Sequence, residues 1–152
     1  VSVTELQELV RFLEDRFACA QACTEYARAC ALRASLADLD GTEEQRLVRR
    51  KGILCAEVCD TTCRLLAEQV TLSEDVMRVQ VEWCRTVCLE TAEVFEKAAG
   101  DSGRSAGSDC GSGSDCGSGS DCDSGSGSGS EESALACRDC ADACSTFLSL
   151  LR

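Results

Sequence analysis

Eleven of the fourteen cysteines in this chain fall into four groups, and within each group they recur at three-, four- or seven-residue spacing. Cys19, Cys23 and Cys30 form the first group, and Cys55, Cys59 and Cys63 the second. Cys84 and Cys88 form the third, and Cys137, Cys140 and Cys144 the fourth. A step of four residues advances only about 40° round an α-helix, so each group occupies one helical face. That face also carries the apolar stripe. The first stripe is Phe12, Cys19, Cys23, Tyr26 and Cys30, and the second is Cys55, Cys59, Cys63, Leu66 and Val70. The third is Met77, Cys84, Cys88, Thr91 and Phe95, and the fourth is Cys137, Cys140, Cys144, Leu148 and Leu151. Period 3.6 fits throughout and strand-like alternation does not. A chain patterned this way folds as a helical bundle whose core is lined with thiols.

The expected fold is all-α, an antiparallel four-helix bundle forming one domain over residues 1–152. Its helices are expected at about 4–39, 43–70, 74–99 and 131–150. Thr4 with Gln7 and Thr42 with Gln45 read as capping boxes, and Ser73 precedes Glu74 and Asp75 as a third helix start. Gly41 and Gly100 read as helix stops. The first two connections are short, so the first three helices run up, down and up. Residues 100–130 hold ten of the twelve glycines and the repeat Ser-Asp-Cys-Gly-Ser-Gly. This composition lacks the apolar surface needed to order itself, and the segment reads as a disordered loop between helices 3 and 4.

Short turns also fix which residues face one another. Folding about residues 41–42 sets Cys19 opposite Cys63 and Cys23 opposite Cys59. Folding about 71–72 sets Cys59 against Cys84 and Cys55 against Cys88, with Cys30 near the level of Cys55. The thiols converge into a column. Phe12, Leu66, Val70, Met77, Leu148 and Leu151 form a hydrophobic plug at one end. The acidic turn at 38–41 and both ends of the long loop lie at the other.

Composition narrows the chemistry. The chain has no histidine, which excludes imidazole catalysis and histidine-ligated zinc. The net charge of −12 argues against nucleic acid as a partner. No apolar run is long enough to span a bilayer, and the amphipathic start is unlike a signal peptide, so the chain is expected to be cytosolic or to have lost a leader. Thiols at i and i+4 of one helix project side by side, an awkward disulfide geometry, so the cysteines are expected reduced.

Reduced thiolates in number select soft ions. Zinc sites favour Cys-x-x-Cys knuckles in loops, and only Cys137 to Cys140 has that spacing, inside a helix. Iron–sulfur clusters need spacings that are absent. Cu(I) accepts two or three thiolates. The pairs Cys19/Cys23, Cys55/Cys59, Cys59/Cys63, Cys84/Cys88 and Cys140/Cys144 each offer a clamp. Two thiolates on one Cu(I) leave a buried negative charge, so thiolates shared between neighbouring ions are favoured over isolated pairs.

Four helices with Cys-x-x-x-Cys repeats, the last containing Ala-Cys-Arg-Asp-Cys-Ala-Asp-Ala-Cys at 136–144, resemble the bacterial copper storage proteins. The resemblance covers roughly 4–99 and 131–150. It implies a cytosolic, non-enzymatic homotetramer that stores several Cu(I) ions per chain on Cys19, Cys23, Cys30, Cys55, Cys59, Cys63, Cys84, Cys88, Cys137, Cys140 and Cys144, with a copper chaperone as the expected donor. Members of that family commonly carry His or Met at the open end. This chain has no His, and Met77 lies at the other end, so Cys110, Cys116 and Cys122 of the long loop are candidate capture ligands. The alternatives are a zinc or other soft-metal thiolate store, a thiol redox protein, and a structural helical bundle.

Overall fold

The computed structural model describes residues 2–37, 41–67, 73–104 and 128–151. Four helices follow in order: α1 (Val3–Leu36), α2 (Glu43–Ala67), α3 (Glu74–Arg104) and α4 (Ser128–Leu148). α1 packs on α2 and α4, and α3 packs on the same two, so α1 and α3 lie across the bundle from each other. Cys30, Cys55 and Cys137 share one level while Cys19 meets Cys144 further down, so α2 and α4 run against α1.

The ends differ in part from the sequence expectation. α1 starts two residues earlier than Thr4 and Gln7 suggest. Ser2 caps it: the Glu5 amide donates to Ser2 Oγ at 3.3 Å and the Ser2 amide to Glu5 Oε2 at 2.9 Å. A carboxylate at that position also meets the positive end of the helix dipole, which the Gln7 amide does not. α1 ends at Leu36, with Ala37 in extended conformation, short of Leu39. Thr42 and Ser73 do cap α2 and α3, accepting from the amides of Gln45 and Val76. Gly100 does not stop α3, which continues to Arg104, and α4 begins at Ser128 rather than Glu131. The expected end of α2 at Val70 and the expected disorder of 105–127, with Cys110, Cys116 and Cys122, lie outside the described residues.

Heptad spacing explains why the thiols gather in the middle. In α1, Ala20, Ala27 and Ala34 alternate with Cys23 and Cys30; in α4, Ala134 and Ala141 alternate with Cys137 and Cys144. All of these are buried. In α2, Val48, Cys55 and Thr62 form one seven-residue column and Gly52, Cys59 and Leu66 the other. α3 carries Met77, Cys84 and Thr91 beside Val81, Cys88 and Phe95. Small residues let the helices approach, and larger ones close the ends. Phe12 packs on Phe147, with ring centroids 5.6 Å apart, at the plug end, where Leu66, Met77 and Leu151 are also buried. Phe147 was not in the expected plug. Phe95 is fully buried one heptad beyond Cys88, so the opposite end is covered as well.

Polar contacts fix the helix pairs. Arg138 forks onto Glu96 at 2.6 and 2.9 Å, Lys51 reaches Glu90 at 3.2 Å, and Gln80 donates to Thr62 at 3.0 Å. Arg16 donates to the Leu66 carbonyl at 2.8 Å. The two ion pairs, Arg138–Glu96 and Lys51–Glu90, are largely exposed and set register more than stability.

The α1 and α2 backbones approach closely at Gly52. A Cβ there would sit 3.0 Å from Ala34 Cβ and 3.1 Å from the Cys30 carbonyl oxygen. Gly52→Val is therefore expected to push α2 from α1 and destabilise the bundle by roughly 1–3 kcal/mol. Urea unfolding of the metal-free protein checks this, and unchanged stability would show that the seam tolerates a side chain.

Candidate metal centre

Eleven thiols of the described residues are buried and free of disulfides. Three sets have all their sulfurs within 4.8 Å of one another: Cys23, Cys84, Cys140 and Cys144; Cys59, Cys84, Cys88 and Cys140; and Cys30, Cys55 and Cys137. The two sets of four share Cys84 and Cys140. Cys55 joins the second set to the trio, at 3.9 Å from Cys59 and 3.8 Å from Cys88. Cys19 adds to the lower end at 3.9 Å from Cys144. Ten sulfurs thus form one unbroken column through the bundle.

The register expected from the short turns holds for most of it. Cys59 lies 3.8 Å from Cys84, Cys55 lies 3.8 Å from Cys88, and Cys30 lies 3.3 Å from Cys55. The levels are not discrete, because Cys59 also reaches Cys88 at 3.5 Å and Cys140 at 4.0 Å. The long loop left α4 unplaced by turn length, and the structure sets Cys137 at 3.2 Å from Cys30 and Cys140 at 3.7 Å from Cys23.

One expectation fails. Cys63 does not face Cys19 in the column. Its thiol turns back on its own helix and donates to the Asp60 carbonyl at 3.0 Å. Cys137 and Cys140 do not act together: the first belongs to the trio and the second to both sets of four. A three-residue step turns a helix by about 300°, enough to separate their targets. The candidate capture ligands Cys110, Cys116 and Cys122 lie outside the described residues.

Packing thiols together alters their acidity. Hydrogen bonding with Cys140, then Cys144, and burial push the Cys23 thiol well above its ordinary value. Cys137, then Cys55, and burial do the same for Cys30. Cys59, Cys88, Cys137, Cys140 and Cys144 also move up. Against them, hydrogen bonding with Cys144 and then Cys23 brings Cys19 down to about 5. Cys55 and Cys84 are lowered through their bonds to Cys137 and Cys140 respectively. The column thus holds a few sites where neighbouring S–H groups stabilise a thiolate, and a majority that stay neutral.

Deep burial of reduced sulfur, four converging helices and overlapping sets of three and four ligands define a thiolate metal-binding bundle. The copper storage protein family matches residues 5–118, about three quarters of the chain, and the chain belongs to that family. Among solved structures, a histidine-to-alanine variant of Streptomyces lividans Ccsp is similar over 96% of each chain, at 26% identity and TM-score 0.53. A cytosolic copper storage protein from Streptomyces lividans, loaded with five coppers, is similar over 97% of this chain and 98% of that one, at 25% identity and TM-score 0.50. This chain has no histidine to correspond to the one altered in that variant. A search of the curated proteins found no match. Among the described residues, no helix is long and apolar enough to cross a membrane.

The acidity pattern sets a pH dependence for the metal-free fold. Thiols raised in the folded state contribute stability that is complete below the ordinary value of 9.0 and is lost as pH rises beyond it. The lowered thiols contribute stability that is complete above 9.0, so they do not compensate further there. The melting temperature of the reduced, metal-free protein is expected to fall steadily above about pH 9. A flat profile to pH 11, measured anaerobically, would contradict the buried neutral thiols.

Proposed function

We propose that this chain stores Cu(I), several ions at a time, on the thiolates of its core. The unbroken sulfur column carries the reading, supported by membership of the copper storage protein family and by likeness to a relative loaded with five coppers. Cys19, Cys23, Cys30, Cys55, Cys59, Cys84, Cys88, Cys137, Cys140 and Cys144 are the ligands. Cys63 joins them by exchanging the Asp60 carbonyl for metal.

Charge determines how the column fills. Each Cu(I) with one net thiolate is neutral, and sharing sulfurs between ions keeps coordination at two or three without surplus charge. Protons leave as copper arrives, because most of the thiols start neutral. The role is storage without turnover, in a chain that works as one domain. Cys110, Cys116 and Cys122 collect copper, brought by a copper chaperone, and pass it to the core by thiolate exchange.

Location in the cytoplasm is supported by the cytosolic relative. Assembly as a homotetramer is supported by α1. Phe12 already packs on Phe147, next to the end of α4, so the first turns of α1 run on past it. Along those turns and the two that follow, Val3, Leu6, Val10, Leu13 and Phe17, at alternating three- and four-residue steps, are exposed. An apolar seam of that period suits a neighbouring helix.

Anaerobic titration of the reduced protein with Cu(I) against a competing chelator tests the storage role. Tight binding of more ions than half of the fourteen thiols is expected, with acid release read in weakly buffered solution. One ion or none, or binding without proton release, would overturn it. Replacing Cys110, Cys116 and Cys122 together by Ser is expected to slow loading and keep most of the capacity. Unchanged uptake kinetics would remove the capture role from these three.

A further inference from the structure

The two sets of four thiols have a relation that Cu(I) storage does not require. Cys23 and Cys144 belong only to the first, Cys59 and Cys88 only to the second, and Cys84 and Cys140 to both. Six sulfurs so arranged are the corners of two tetrahedra that share an edge. A zinc–sulfur bond of about 2.3 Å fixes the edge of a tetrathiolate site near ~3.8 Å. The edges here are 3.9 Å for Cys23–Cys84, 3.7 Å for Cys23–Cys140, 3.8 Å for Cys59–Cys84, 4.0 Å for Cys59–Cys140 and 3.5 Å for Cys59–Cys88.

We propose that these six thiols form a binuclear site for a pair of divalent, closed-shell soft cations, Zn(II) or Cd(II), bridged by Cys84 and Cys140. Cys23 and Cys144 are terminal ligands to one ion, and Cys59 and Cys88 to the other. Two divalent ions on six thiolates leave a net charge of −2 on the cluster. That charge is buried, and the structure provides donors for it. Cys19 lies 3.9 Å from Cys144, and Cys55 lies 3.9 Å from Cys59 and 3.8 Å from Cys88. Once Cys144, Cys59 and Cys88 are metal-bound thiolates they accept rather than donate, so Cys19 and Cys55 keep their protons and offer an S–H to them. The trio Cys30, Cys55 and Cys137 lacks a fourth sulfur within its set and takes no divalent ion of this kind. Linear spacing conceals the site, because its ligands come from four helices and only Cys84/Cys88 and Cys140/Cys144 are close in sequence.

The proposal goes beyond copper storage, and its failure would leave Cu(I) capacity as it is. Reduced, metal-free protein is titrated with Cd(II), followed by thiolate-to-cadmium absorbance and cadmium NMR, and in parallel with Zn(II) against a chelator. Saturation at two ions per chain is expected, one for each set of four. Two resonances in the tetrathiolate range, split by coupling through the shared sulfurs, are expected with it. One bound ion, uptake with no break at two, or two uncoupled resonances would overturn the site. Changing Cys84→Ala with Cys140→Ala is expected to weaken binding of both ions by more than about 100-fold. Changing Cys30→Ala with Cys137→Ala is expected to leave two ions bound. Equal loss in both variants would also overturn the assignment. Should the first variant fail to fold by circular dichroism, the coupling in the unaltered chain decides alone.

Discussion

A thiolate in a protein interior must be balanced by a proton or a metal ion, and the whole bundle is arranged around that requirement. Ten sulfurs stand within about van der Waals reach of one another, with no histidine or lysine among them to share the charge. Without metal, the balance comes from protons, and the thiols behave as small packing groups that donate to one another. The ligand role proposed for them asks for little movement, because the sulfurs of each set already lie within 4.8 Å of one another. The core does not choose between packing and binding. It packs neutral sulfur where it will later hold thiolate.

Such a core is poor in apolar volume, and the remaining residues compensate by position. Alanine stands between the cysteines of α1 and α4, so those helices come close to their neighbours. Gly52 brings the α1 and α2 backbones closer still, beside Cys30. Bulk is held back to the ends: Phe12, Phe147, Leu66 and Met77 at one, Phe95 and Val48 at the other. Replacing the middle with leucine would gain apolar burial of about 1–2 kcal/mol per site. It would also part the helices and end the overlap of the ligand sets.

Much of this was legible from the sequence. Cysteine spacing placed every stripe, and two short turns set the levels of Cys59 against Cys84 and of Cys55 against Cys88, because a short turn leaves one register open. α4 was the gap, since a long connection fixes neither level nor direction, and its thiols complete all three ligand sets. Cys63 was misplaced for a different reason. It sits on the right face, yet a thiol near a helix end has its own backbone carbonyl as a competing acceptor, and rotamer choice is not written in spacing. Thr4 with Gln7 has the spacing of a capping box, but Ser2 with Glu5 has it too, and the helix dipole favours the acid.

The same sulfurs meet Cu(I) and divalent ions under different charge rules, which gives the column an order of preference. A pair of divalent ions on six thiolates leaves surplus negative charge inside a protein that already carries −12. An equal number of Cu(I) ions and thiolates leaves none. Divalent ions also demand four sulfurs each, which confines them to the middle of the column, whereas two- and three-coordinate Cu(I) uses the trio and Cys19 as well. Copper therefore gains both neutrality and extra positions by displacing a divalent pair, and the displacement releases Cys84 and Cys140 from their bridging role to serve a longer cluster. The geometry accepts both kinds of ion, and the low dielectric around it favours the one that cancels its charge.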